Sequence, residues 1–224
     1  MSDHLGRLIF DVSSVFASNE QRLSDWFLEM IRVEPERAHL FEALAEEDRP
    51  PDATLPLSIE VNRHLASEKK DPPLTRAKRL TQLALHLARA ARPDEAVEQA
   101  RKAVALLDEH ADETVSRPHL ARARRVLAMG LSELVEGADE AVRVAEEAVE
   151  VFRALADDAE GHEELARGLN GLGIALWRAN RGSDSVAVLE ETITIYRSLL
   201  CADAPNDRSA LLLDNLARAL FHLS

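Results

Sequence analysis

Apolar residues recur along most of the chain at spacings of three and four. Over 139–156, Ala141, Val144, Ala145, Ala148, Val151 and Phe152 mark one face at helical period. Four short strings then align: Leu83-Ala84-x-x-Leu87, Leu127-Ala128-x-x-Leu131, Leu172-Gly173-x-x-Leu176 and Leu216-Ala217-x-x-Leu220, with spacings of 44, 45 and 44. After each of the first three comes a second string, beginning at Asp94, Asp139 and Ser183, 45 and 44 residues apart. Two signals sharing one period define a repeat. Each repeat reads as two helices: an A helix over 76–91, 119–135, 164–180 and, unpaired, 208–223, and a B helix over 94–110, 139–156 and 183–200.

Punctuation supports these limits. Arg92-Pro93-Asp94 suits a tight turn with Asp94 as the helix cap. Gly137 and Gly182 fall where a left-handed residue would end helix A. Pro118 and Pro205 lie between repeats. Small residues recur in register, with Ala84, Ala128, Gly173 and Ala217 in helix A and Ala96, Ala141 and Ser185 in helix B. Helices approach closely only where side chains are small. A single hairpin cannot bury its apolar face alone, so the pattern predicts an all-α fold, a right-handed α-solenoid of antiparallel helix pairs.

The first third of the chain is less regular. Residues 4–17 and 20–33 read as amphipathic helices with Phe10, Phe16, Trp26, Phe27 and Ile31 as core. Glu34-Pro35-Glu36 starts a third helix, to about Glu47; a Pro-rich break follows at 49–56, then a helix over 58–70 ended by Asp71-Pro72-Pro73. Leu40-Phe41-x-x-Leu44 precedes the Leu83 string by 43 residues, as a decayed repeat would. The chain therefore divides into 1–73, a helical cap or degenerate repeats, and 74–224, three full repeats plus a terminal helix.

Leu-Gly/Ala-x-x-Leu in one helix, with Ala early in the next, resembles the tetratricopeptide repeat. The ~44-residue period exceeds the standard ~34 and is similar to the long-helix form of kinesin light chains and bacterial arrays. The resemblance implies a superhelix whose A helices line the concave surface and whose B helices line the convex one. In such arrays an Asn pair before Leu-Ala holds the backbone of a bound peptide. Here the pair is diluted to Asn170-Gly171 and Asp214-Asn215, which carries that role onto Asn170 and Asn215.

Composition narrows the function classes. One cysteine in 224 residues, Cys201, excludes a disulfide framework, and a net charge of −13 argues against indiscriminate nucleic-acid binding. Asp3, Arg7 and Asp11 break any signal-peptide core, and no stretch approaches the ~20 apolar residues of a membrane span, so a cytoplasmic protein with no membrane partner is expected. Candidate chemistry is sparse. His162-Glu163 begins like a zinc-protease helix, but Ala166 stands where the second ligand belongs. Gly171-Leu172-Gly173 lacks both the strand and the third glycine of a dinucleotide fingerprint. Neither a catalytic residue, a metal nor a cofactor is expected.

Charge is unevenly divided. Residues 76–92, 119–136 and 164–181, which hold the first three A helices, sum to +8, while residues 94–113, 139–160 and 183–203, which hold the B helices, sum to −14. On the A-helix face away from the packing strings stand Lys78, Gln82 and Arg89, then Arg122, Arg125 and Met129, then Arg167, Asn170, Trp177 and Arg178, and finally Asn215 and Arg218. Arginine pairs carboxylates bidentately, amides satisfy peptide backbone, and Trp and Met anchor apolar side chains. The row predicts a groove for an acidic peptide or partner helix, and hence a non-catalytic adaptor or regulator. The basic and acidic helices could instead pair with each other as surface salt bridges. Two other functions stay open: self-assembly as a homodimer through Leu212, Leu213, Leu216 and Leu220 of the terminal helix, and a peptide-responsive sensor.

Overall fold

The computed structural model describes residues 20–68, 70–109 and 114–202, together with Leu212, Leu213, Asn215, Ala217 and Phe221. Among the described residues the regular elements are all helical, and they fall into two compact units divided between Glu109 and His110. The expected border at 73/74 lies inside the first unit.

The first unit comprises α1 (Glu20–Val33), a 3-10 helix (Pro35–Phe41), α2 (Glu42–Glu46), α3 (Leu55–Ser67), α4 (Pro73–Arg89) and α5 (Pro93–Asp108). The expected single helix after Glu34 is thus two short pieces with a break at Phe41, whose φ of −116° is not helical. Ile31, Ala38, Phe41, Leu44, Leu57, Val61 and Leu65 form its first core cluster, with Phe27 packed against it, 5.1 Å from the Phe41 ring. Phe10 and Phe16 lie outside the described residues. Trp26 was expected in this core but is 63% exposed: Phe27, Leu28 and Ile31 face inward, and position 26 turns to the other side of α1.

The short α2 ends in carbonyls that its own helix cannot satisfy, and side chains from α3 and α4 satisfy them. Ser58 Oγ donates to Leu44 O at 2.8 Å, Asn62 Nδ2 to Ala45 O at 2.9 Å, Gln82 Nε2 to Glu47 O at 2.8 Å, and His86 Nε2 lies 2.7 Å from Glu47 O. Burial pushes the His86 imidazole below its ordinary value against the pull of that carbonyl, so the ring is held neutral.

Proline at the first helical position starts α5 with Arg92 before it; Asp94 sits within the first turn rather than capping it. The left-handed residues that end A helices are Ala91 (φ 55°) and Asn180 (φ 59°), not Gly137 or Gly182. At each, two bonds close the turn: Arg92 N to Leu87 O (3.0 Å) with Ala91 N to Ala88 O (3.1 Å), and Arg181 N to Leu176 O (2.8 Å) with Asn180 N to Trp177 O (3.0 Å). Gly137 has an ordinary φ of −94° and is required for space, because a Cβ there would strike the Leu131 carbonyl. Alanine is strained in the left-handed region, where glycine is not. Ala91→Gly is therefore expected to raise stability by about 0.5–1 kcal/mol, read as a higher denaturation midpoint.

The second unit comprises α6 (Ser116–Ser132), α7 (Ala138–Ala154), α8 (Ala159–Arg178) and α9 (Gly182–Ala202). Here α7 packs against α6 and α8, α9 packs on α8, and α6 lies alongside α8. The repeated small positions sit at these contacts. A Cβ on Gly173 would meet Leu189 at 2.7 Å, one on Gly168 would meet Phe152 at 2.9 Å, and Ser185 Oγ donates to Gly173 O at 2.7 Å. Leu212 is not part of an exposed stripe: it is fully buried with Ala166, Tyr196 and Leu199. Leu213 is 55% exposed, and Leu216 and Leu220 lie outside the described residues.

Candidate functional site on the α6 and α8 face

One repeat period brings matching positions of α6 and α8 side by side. Arg122 Nη2 donates to Glu164 Oε1 at 2.7 Å, and Arg178 Nη2 lies 3.4 Å from Glu133, 45 positions away. Within α8, Arg167 bonds Glu163 at 2.6 Å and Glu164 at 3.1 Å. Arg125 faces the same carboxylate, and its Cγ stands where Gly171 leaves room. The side chains of Glu163, Glu164 and Arg167 are only 10%, 17% and 17% exposed. Burial pushes the Glu164 carboxyl up, but the guanidiniums of Arg125, Arg122 and Arg167 outweigh it and hold the group below its ordinary value. Three arginines and two glutamates thus gather at this end of the face.

Further along, the face becomes apolar. Asn170, Met129 and Ile174 are half-buried, and the Asn170 Oδ1 is buried with no hydrogen-bond partner. Trp177 is 61% exposed. The Arg178 guanidinium lies 5.5 Å from its ring centroid, within cation–π range. The result is a strip with a clamped, cationic end and an aromatic end.

Other predicted site residues are placed elsewhere. Lys78 and Arg89 are exposed on α4 of the first unit, and Gln82 is engaged by the carbonyls after α2. Asn215 is buried, and Arg218 lies outside the described residues. No acidic residue on α5, α7 or α9 is buried, and several pair with cations of the A helices or of the turns that follow them: Arg92 with Glu95 at 2.6 Å, Arg124 with Glu147 at 3.4 Å and Arg181 with Glu146 at 3.8 Å. Cys201 is exposed on α9. Among the described residues, no cluster of His, Cys, Asp and Glu is arranged to hold a metal, and no helix is long and apolar enough to cross a membrane.

The sequence reading missed the structural weight of Glu163, Glu164 and Glu133. The signal was present: Glu163 and Glu164 precede Arg167 by four and three residues, the spacing of a helical ion pair, and Glu133 precedes Arg178 by one repeat.

No protein-family model matches the chain, and no curated protein matches it. Among solved structures it is similar to BtubC (BKLC) from P. vanneervenii, with a TM-score of 0.53 and 16% identity over 99% of this chain and 81% of that one. The likeness extends over nearly the whole chain and agrees with the stacked hairpins of each unit: this is an all-α, tetratricopeptide-like helical-repeat fold.

Proposed function

We propose that the protein is a non-catalytic protein–protein interaction module, an adaptor or regulator, that holds an acidic peptide or partner helix on the face formed by α6 and α8. The observation that carries this reading is Trp177. Its neighbours Leu172, Ala175 and Leu176 are buried in the packing of α8, yet the tryptophan stands out in solvent with Arg178 against its ring. An exposed aromatic beside a guanidinium is a common energetic centre of protein interfaces. Met129 and Ile174 extend the apolar surface, and the guanidiniums of Arg122, Arg125 and Arg167 at the other end are donors of the kind that recognise carboxylates. Tetratricopeptide-like folds present such faces to partners, which supports the reading.

Trp177→Ala tests this directly. Peptides selected by display on the native protein should bind the variant at least about tenfold more weakly, with helicity and thermal midpoint unchanged because the side chain is mostly outside the core. Retained affinity would refute the reading. A second reading, self-association through the terminal segment, is favoured by exposed Leu213 and Phe221. A monomer by light scattering at all concentrations removes it.

A further inference from the structure

Glu133 and Arg178 stand at one position of the repeat, six residues after Leu127 and Leu172; in α4 the same position, six after Leu83, is Arg89. Glu133 is thus a reversed charge in a place that is otherwise basic. Its backbone N–H closes α6 on Gly130 O at 3.2 Å, which any residue but proline could do. Its side chain is exposed, so charge rather than packing distinguishes it. The carboxylate reaches α8, where both its oxygens lie 3.4 Å from Arg178 Nη2.

That contact is loose. A separation of 3.4 Å is longer than an ordinary N–H···O hydrogen bond, and the two side chains are about half exposed, so water competes for both charges. The other carboxylate on the strip is held more firmly: Glu164 accepts from Arg122 at 2.7 Å and from Arg167 at 3.1 Å, and it is largely buried. A carboxylate arriving at Arg178 would replace one ion pair with another and return Glu133 to water that it already half occupies. Displacing Glu164 would break two shorter bonds. Arg178 also lies against Trp177, 5.5 Å from the ring centroid, so a charge read there falls beside the apolar anchor.

We propose that Glu133 holds the place of a carboxylate of the partner: an acidic side chain of the bound peptide displaces it from Arg178. Arg178 is then the residue that selects for acid, and Glu133 is a competitor built into the chain. This inference rests on the function proposed above for the α6 and α8 face and adds where on it the partner's charge is read.

Titration calorimetry of the full chain tests it, with a display-selected acidic peptide whose binding Trp177→Ala weakens. Glu133→Gln removes the competitor and should tighten binding about two- to fivefold, the range that an exposed ion pair supplies. Glu136→Gln removes the same charge three residues on, from a side chain that is also exposed, and should leave the affinity unchanged. With Arg178→Gln already in place, Glu133→Gln should bring no gain. Equal affinity of the native protein and Glu133→Gln, an equal gain from Glu136→Gln, or a gain that persists without Arg178 would overturn the inference and leave the Trp177 face standing. A peptide that binds regardless of Trp177 would remove that face, and this inference with it. Both glutamates are exposed, so their variants should keep the native thermal midpoint and the comparison is one of binding alone.

Discussion

Glu164→Ala is expected to lower the stability of the second unit by about 3 kcal/mol, the scale for removing one partner from a largely buried ionic cluster. The carboxylate stands among Arg122, Arg125 and Arg167, with the Arg122 and Arg167 bonds at 2.7 and 3.1 Å. Without it, the three guanidiniums lose the carboxylate they share. The loss has a pH signature. The folded carboxyl is held below its ordinary 4.5, so its contribution is complete above that value and disappears as pH falls through the lowered folded value. The gap between native protein and variant, measured by denaturant titration, should therefore be constant near neutrality and close in acid. A gap that persists unchanged at low pH would mean that packing, not charge, holds the cluster.

Gly173→Leu is expected to be as damaging, at about 3 kcal/mol or more, by overpacking. The added Cβ alone would sit 2.7 Å from the Cγ and Cδ2 of Leu189, which is 1% exposed and has no room to withdraw. The neighbouring repeats explain the requirement. Ala84 and Ala128 match Gly173, while Ala100 and Ala145 match Leu189 by position. Two repeats use alanine on both sides; the third enlarges one side and shrinks the other. Gly173→Ala, although favoured by helix propensity, should destabilise in the native background, and adding Leu189→Ala should cost less than the two single losses combined, by at least about 0.5 kcal/mol. Simple additivity in thermal or chemical denaturation would contradict the pairing.

These two cases mark what was legible in the sequence. The repeat was visible because packing of like hairpins forces small and large residues into register, so α4 to α9 followed from the spacing of the Leu83, Leu127 and Leu172 strings and of those at Asp94, Asp139 and Ser183. The turns were misread. Gly137 and Gly182 suggested left-handed caps, but Ala91 and Asn180 take that conformation, because the closing bonds to Leu87 and Leu176 decide the position rather than residue preference. The face was half legible. Periodicity put Trp177 and Arg178 on one side of α8, and both are exposed there. It did not reveal that Glu163 and Glu164 neutralise most of the arginines, since that depends on which turn of α6 lies against which turn of α8. Gln82 was misjudged for a similar reason: the Glu47 carbonyl that it bonds lies just beyond α2, a short helix that carries only a decayed repeat string.

The most direct test follows the emission of Trp177 itself in a Trp26→Phe background, where it is the sole tryptophan. On adding a display-selected acidic peptide, a blue shift and reduced quenching by acrylamide are expected, as a ring exposed on α8 passes beneath a partner. A peptide that binds while Trp177 keeps its emission and its quenching would place recognition elsewhere and contradict the account.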